Sequence, residues 1–252
     1  MKAIPPMILR IKKVYDILIP SGRILQDLDK HHKFNDPRSN IRTSTPQLKE
    51  IFAVLGVLAW MFMLKYLLDF LGLFGEIVFF MLIPLSALSH LIGEMNEFYK
   101  INPDQIEQFP RRRVIEIFLL QIIYIGFAFF SLRGFIGHTI LADTVALDIG
   151  WATGSPFQIE LSFSQLGFGI VAIISLWKRD SLWIGVIYSK AIFLLGAAGV
   201  HIWDIIVTEN YSHGNTGTIL FLNDLALPII SITLLHIFIN GKGKKIEIQK
   251  NK

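Results

Sequence analysis

Residues Val114–Leu132 read VIEIFLLQIIYIGFAFFSL, and Arg111-Arg112-Arg113 stand directly before them. A helix rising about 1.5 Å per residue needs roughly 20 apolar residues to cross about 30 Å of hydrocarbon. The run has that length, and the triple arginine marks a membrane boundary, on the side where Lys and Arg collect. Similar blocks recur on both sides of it. Towards the amino terminus lie about 51–71 and 76–91, divided by Gly72-Leu73-Phe74-Gly75, a tight-turn sequence, with Pro84 expected to bend the second. Towards the carboxyl terminus lie about 157–177, 182–207 and 217–239. The expected fold is all-α: a polytopic transmembrane helical bundle of about six spans over residues 50–240, with the lipid bilayer as its first partner.

Composition agrees with this reading. Of 252 residues 52% are hydrophobic and 17% charged, whereas a soluble domain carries about 25% charged residues. The absence of cysteine excludes disulfides, thiolate metal sites and cysteine nucleophiles. A net charge of +4 does not point to nucleic acid, because the cations flank apolar blocks. Residues 1–20 carry scattered basic residues and no clean apolar stretch, so no cleavable signal peptide is expected.

The cations also give a direction. With the amino terminus inside and six spans, the inner segments hold 10 Lys/Arg in 1–49, four in 94–113, two at Lys178-Arg179 and five in the tail, against Arg133 alone outside. Lys65 and Lys190 fall within spans. The positive-inside rule then predicts both termini in the cytoplasm and Arg111–Arg113 beside them, with 134–157 and 208–216 external, in a cell (inner or plasma) membrane. The basic arm 1–49 has two readings. Met7, Ile8, Ile11, Val14, Tyr15 and Leu18 recur at helical spacing beside cations, which suits an interfacial helix; the alternative is a disordered tail. Residues 241–252 form a basic tail. Segment 138–149 is expected to be an interfacial helix resting Leu141, Val145 and Ile149 on the membrane, because Asp143 and Asp148 are too costly for a lipid-facing crossing.

Ionisable groups within spans cost a few kcal/mol and turn towards a bundle interior or a wet cavity. On this topology Glu160, His201, Asp204, Asn223 and Asp224 all fall in the outer leaflet. Lys65 and Asp69 fall there too, four residues apart on one helical face, where they can pair. The expectation is a shared outer-leaflet pocket centred on Glu160, His201 and Asp224, with Asp204 and with Gln158, Asn215 and Asn223 orienting them. The competing reading is that these groups only tie helices together by hydrogen bonds of about 1 kcal/mol each. His201 and Asp204 sit three apart, which suits a proton relay or metal ligation, but no HExxH-type spacing supports a metal centre. Ser155, Pro156 and Gln158 form a capping-box sequence that places Glu160 at the positive end of a helix. Trp151 and Trp203 suit interfacial anchors. Gly196-Ala197-Ala198-Gly199 offers a close-packing patch that Gly167 and Gly169 can face. His90, Glu94 and Glu116 read as solvated helix ends.

Gly137-His138 to Ala142-Asp143, Gly150-Trp151, Gly154-Ser155-Pro156-Phe157-Gln158-Ile159-Glu160 and Leu166-Gly167-Phe168-Gly169 carry a resemblance. So do Phe193–Ala197 with His201, Gly214–Gly217, and Asp224 to Pro228. Over residues 114–239 the chain resembles a family of prokaryotic multi-pass membrane proteins of unknown function with a GWxxGSPFQxE motif. Lys190 departs from it, standing where relatives often have an apolar residue. The resemblance implies a membrane location and no activity. The residues themselves favour a small carrier or binding protein for a small ligand or ion, more than an enzyme, acting as a homo-oligomer if one bundle is too small for a pathway. The alternatives are a membrane-embedded oxidoreductase or other enzyme acting on a lipid-soluble substrate, and a structural or regulatory subunit. No cofactor is named by any motif.

Overall fold

The computed structural model describes residues 46–69, 71–101, 109–179 and 181–240. The expected arm, save its last residues, and the tail 241–252 lie outside them. In hydrocarbon every backbone polar group must be satisfied internally, so each apolar block closes on itself as a helix. The elements are α1 (Leu48–Asp69), α2 (Gly72–Phe80), α3 (Leu82–Ile101), α4 (Arg111–Gln121), α5 (Phe130–Thr139), α6 (Ala142–Ile149), α7 (Pro156–Ile174), α8 (Ser181–Thr208), α9 (His213–Thr216) and α10 (Leu227–Asn240). π-Helical stretches Ile122–Phe129 and Ile219–Ala226 join α4 to α5 and lead into α10. Among the described residues six helical runs are long and apolar enough to cross a membrane: Leu48–Leu68, Phe74–Lys100, Arg111–Thr139, Pro156–Ile174, Ser181–Thr208 and His213–Asn240. The fold is thus the polytopic helical membrane bundle that the sequence leads one to expect.

The third span is its axis. Of its apolar stretch 83% is buried inside the protein, against 22–50% for the other five. Leu119, Leu120, Ile123, Tyr124, Phe127 and Ala128 are enclosed on every side. The surrounding spans bury one stripe each and turn residues such as Tyr66, Phe163, Ile192 and Ile206 outward, the pattern of helices with lipid on one side. A π-helical stretch inserts residues into the helical ladder and is found at functional sites more often than elsewhere. In the sixth span it carries Asn223 and Asp224, consecutive residues that are both buried.

Two packing expectations change. Gly196, Gly199 and Gly167 have open space where a Cβ would stand, whereas Gly169 presses against Leu132. The close approach is therefore between the fourth span and the central third span. Helix α6 has eight residues and spans about 12 Å. It buries Ala146 and Ile149 against the bundle and leaves Leu141 and Leu147 exposed. Ile149 thus packs inward rather than onto the membrane, because the 149–151 segment is held by Asn210. His138 and Thr139 belong to α5, the end of the third span.

Candidate functional site

Polar side chains fill the bundle interior in two groups, one at each end, with an aromatic layer between them. The group at the Trp151 end begins at the surface. The Trp151 indole Nε1 donates to Asp204 Oδ2 at 2.9 Å and its ring stacks on His201, centroids 5.5 Å apart. Asn210 Nδ2 donates to the same Asp204 oxygen at 2.7 Å and to the Ile149 carbonyl at 2.8 Å. Thr208 Oγ1 donates to Asp204 Oδ1 at 2.8 Å. Asn215 joins the layers: its Nδ2 donates to the Asn210 carbonyl at 2.7 Å, and its Oδ1 lies 2.6 Å from His201 Nδ1. Gly150 makes this possible. Its φ is +83°, and a Cβ there would stand 2.4 Å from Ser212 Oγ and 2.6 Å from Asn210 Oδ1, so only glycine combines that backbone with that proximity.

Deeper in, Lys190 and Asp224 are 2% and 4% exposed. Lys190 Nζ donates to Gln165 Oε1 at 2.6 Å and lies over the rings of Phe168 and Phe193. Asn223 Nδ2 donates to Asp224 Oδ1 at 2.7 Å. Lys190 and His201 are both within electrostatic range of Asp224. Gln165 fits because α5 offers Gly134 opposite it; a Cβ at that glycine would lie 3.2 Å from Gln165 Cδ. The network continues towards the first two spans. Thr218 Oγ1 donates to Glu76 Oε2, Arg133 feels Glu76 and Asp148, and Lys65 feels Arg133 and Glu76. His138 Nδ1 lies 3.1 Å from Gln158 Nε2, which also donates to the Ala142 carbonyl at 2.9 Å. Ala142 is in turn one wall of a surface cleft of about 430 Å³ lined also by Thr139, Asp143, Ser155, Pro156 and Ile159.

Of the residues expected in the site, the structure brings together His201, Asp204, Asn215, Asn223 and Asp224, with Gln158 on the flank beside His138. It does not bring Glu160. Glu160 is exposed, two residues and about 200° of helix rotation from Gln158. The capping box does not form either: Ser155 makes no side-chain cap bond, and Gln158 spends its amide on Ala142 and His138. The Lys65–Asp69 pair cannot be placed, since the Asp69 side chain lies outside the described residues; Lys65 itself is buried near Glu76. Trp203 is exposed and Trp151 is a network member. The groups that sequence reasoning did not assign are Gln165, Arg133, Glu76, Thr218 and the partners of Lys190. A glutamine in the middle of an apolar span was the available signal.

At the arginine-bearing end, His90, Glu94 and Glu116 are buried, not solvated. Arg113 Nε donates to Glu94 Oε2 at 2.8 Å, its Nη2 donates to Glu94 Oε1, and its Nη1 meets Glu116 Oε2 at 2.9 Å. Arg179 Nη1 lies 3.4 Å from Glu116 Oε1, and His90 Nε2 lies 3.1 Å from Glu94 Oε1. The correction follows from helix length: the second span continues to Lys100 and the third begins at Arg111, so these side chains lie inside the packed helices and need charged partners there. Phe62, Phe79, Phe80, Phe129 and Phe130 form the layer between the two groups, with ring centroids 4.8–5.7 Å apart.

None of the curated proteins and none of the solved structures matches the chain. One family does, over residues 77–242, a stretch that includes most of both polar groups and five of the six spans in whole or in large part. The chain belongs to that family, a family of unknown function designated DUF6790.

Proposed function

We propose that this protein is a small membrane carrier or binding protein for a small polar solute, with its site in the buried network of Lys190, Gln165, Asp224, Asn223, His201 and Asn215. One observation carries the reading: an ammonium and a carboxylate, Lys190 and Asp224, lie almost fully enclosed in neighbouring spans at the level of a π-helical stretch. Such groups cost several kcal/mol in hydrocarbon and mark solute or ion paths. Helix association does not need them, because small residues and neutral hydrogen bonds suffice. Arg111–Arg113 and Lys178-Arg179 cluster at the opposite end, which by the positive-inside rule supports a network in the outer half of a plasma membrane with both termini cytoplasmic.

The arrangement supplies donors and acceptors of both signs. Lys190, Gln165, Asn223 and Asn215 can each exchange an internal partner for a polar group on a solute without leaving a charge bare. His201 lies between that interior and the Trp151–Asp204 surface layer. The test is a screen on solid-supported membranes carrying the reconstituted protein, using concentration jumps of chloride, acetate, glycine, glutamate and sodium. A current for at least one of them, lost in Lys190→Met, is the expected result. Absence of current or heat of binding for all of them, from a bundle shown to be folded, overturns the proposal.

A further inference from the structure

A polar stripe runs up the second span, away from the network just assigned. Ser86, Ser89, His90 and Glu94 are spaced at helical intervals on one face, and all four are buried. The antiparallel third span answers with Gln121 and Arg113: Ser86 Oγ donates to Gln121 Oε1 at 2.7 Å, and eight residues on, Arg113 holds Glu94. The stripe covers about 12 Å of helix. It starts at the charged cluster of Glu94, Arg113, Glu116 and Arg179 and stops at Gln121, beneath the phenylalanine layer.

Two side-chain atoms inside this stripe lack a hydrogen-bond partner among the described residues. Ser89 Oγ, on a residue 2% exposed, and Gln121 Nε2, on a residue 0% exposed, make no hydrogen bond there. A buried hydroxyl or amide left unsatisfied costs about 1–3 kcal/mol, and buried polar groups with no protein partner are typically bonded to internal water. Two such atoms on facing helices, in line with His90 and with a charged mouth, are better accounted for by shared internal water than by two isolated flaws.

We infer that this column is a water-filled half-channel that admits protons from the arginine-bearing surface as far as Gln121. Water bridges Ser89 Oγ, Gln121 Nε2 and Ser86. His90, bonded through Nε2 to Glu94, takes a proton at one ring nitrogen and gives it up at the other, so no bond other than O–H and N–H is made or broken. The groups that face His90 and set the charge of the mouth are Glu94, Arg113, Glu116 and Arg179. The phenylalanine layer stops the water, so protons reach the middle of the bundle from one side only. This inference concerns the other half of the interior and stands whichever solute the Lys190–Asp224 network binds.

The cysteine-free chain permits a direct test with silver ion, a thiol reagent of nearly the size of a dehydrated potassium ion. Single-cysteine variants Ser89→Cys and Gln121→Cys are compared with Leu119→Cys and Ile123→Cys, whose parent residues are fully buried among apolar groups. In vesicles of each orientation, silver protection against later biotin–maleimide labelling is read in the denatured protein. The column predicts reaction an order of magnitude faster at 89 and 121 than at 119 and 123, and only from the Arg111–Arg113 side. Rates at 89 and 121 equal to those of the controls, or access from the Trp151 side, overturn it. If Gln121→Cys fails to fold, Ser89→Cys alone decides, and silver reaction at 89 no faster than at the controls overturns the inference.

Discussion

Lys190 in the fifth span donates its ammonium to the Gln165 amide oxygen of the fourth span at 2.6 Å, with both residues buried. It is a hydrogen bond to a charged group between two helices that otherwise touch little, and Gly134 on a third helix leaves room for it.

Gln165→Leu is therefore expected to destabilise the bundle by about 1–3 kcal/mol, because a buried ammonium loses its nearest acceptor. Gln165→Glu keeps an acceptor and is expected to cost less. Gly134→Ala crowds the Gln165 side chain by a few tenths of an ångström and should fall between wild type and Gln165→Leu. Thermal unfolding of the purified variants in one detergent ranks them; equal melting of Gln165→Leu and wild type would show that the bond contributes nothing.

Arg113 pairs with both Glu94 and Glu116 at the other end. Removing one member strands its buried partner, so Arg113→Ala is expected to cost about 3–5 kcal/mol. Glu94→Ala should also be costly, and the double variant should cost clearly less than the sum of the singles. A double-mutant cycle on unfolding measures this. Strict additivity would mean that the pair is not coupled.

Gly150→Ala puts a Cβ on a backbone with φ of +83° and within 2.6 Å of two side-chain atoms. The expected loss is about 1–3 kcal/mol, with the 149–151 and 210–215 segments loosened together. Hydrogen exchange should rise in both segments and not in the third span. A rise at 149–151 alone would contradict the packing described here.

Topology is open to labelling in the same cysteine-free background. Tyr211, exposed beside the Trp151 network, is expected to label as Tyr211→Cys with an impermeant maleimide on intact cells. Arg111→Cys should label only after permeabilisation. The reverse pattern would invert the assignment made from the cations.

The spans were legible because hydrocarbon thickness fixes a length, and a length can be counted. The orientation of side chains around each span was not, because it depends on which face meets which neighbour. Glu160 illustrates this. The buried residues of α7 are Ser162, Gln165, Gly169 and Ala172, one helical stripe, and Glu160 lies off it. The polar and small residues of that stripe were visible in the sequence, but the charge of Glu160 drew the assignment away from them. His90 and Glu94 were misread for another reason. They stand at the end of the purely apolar block, while the helix runs on to Lys100 because Arg113 and Arg179 from neighbouring segments neutralise what would otherwise end it. Lys190 stood out at once, yet its partner sits 25 residues away on another helix, and no local spacing points there.

The central claim is that the interior network, and not the exposed carboxylate of Glu160, binds the solute. The most direct measurement is the solute-evoked current of reconstituted Asp224→Asn beside that of Glu160→Gln, each normalised to folded protein. Asp224→Asn is nearly isosteric and should fold, with its current lost or shifted to much higher solute concentration, while Glu160→Gln should match the wild type. Currents abolished by Glu160→Gln and retained by Asp224→Asn would contradict the account.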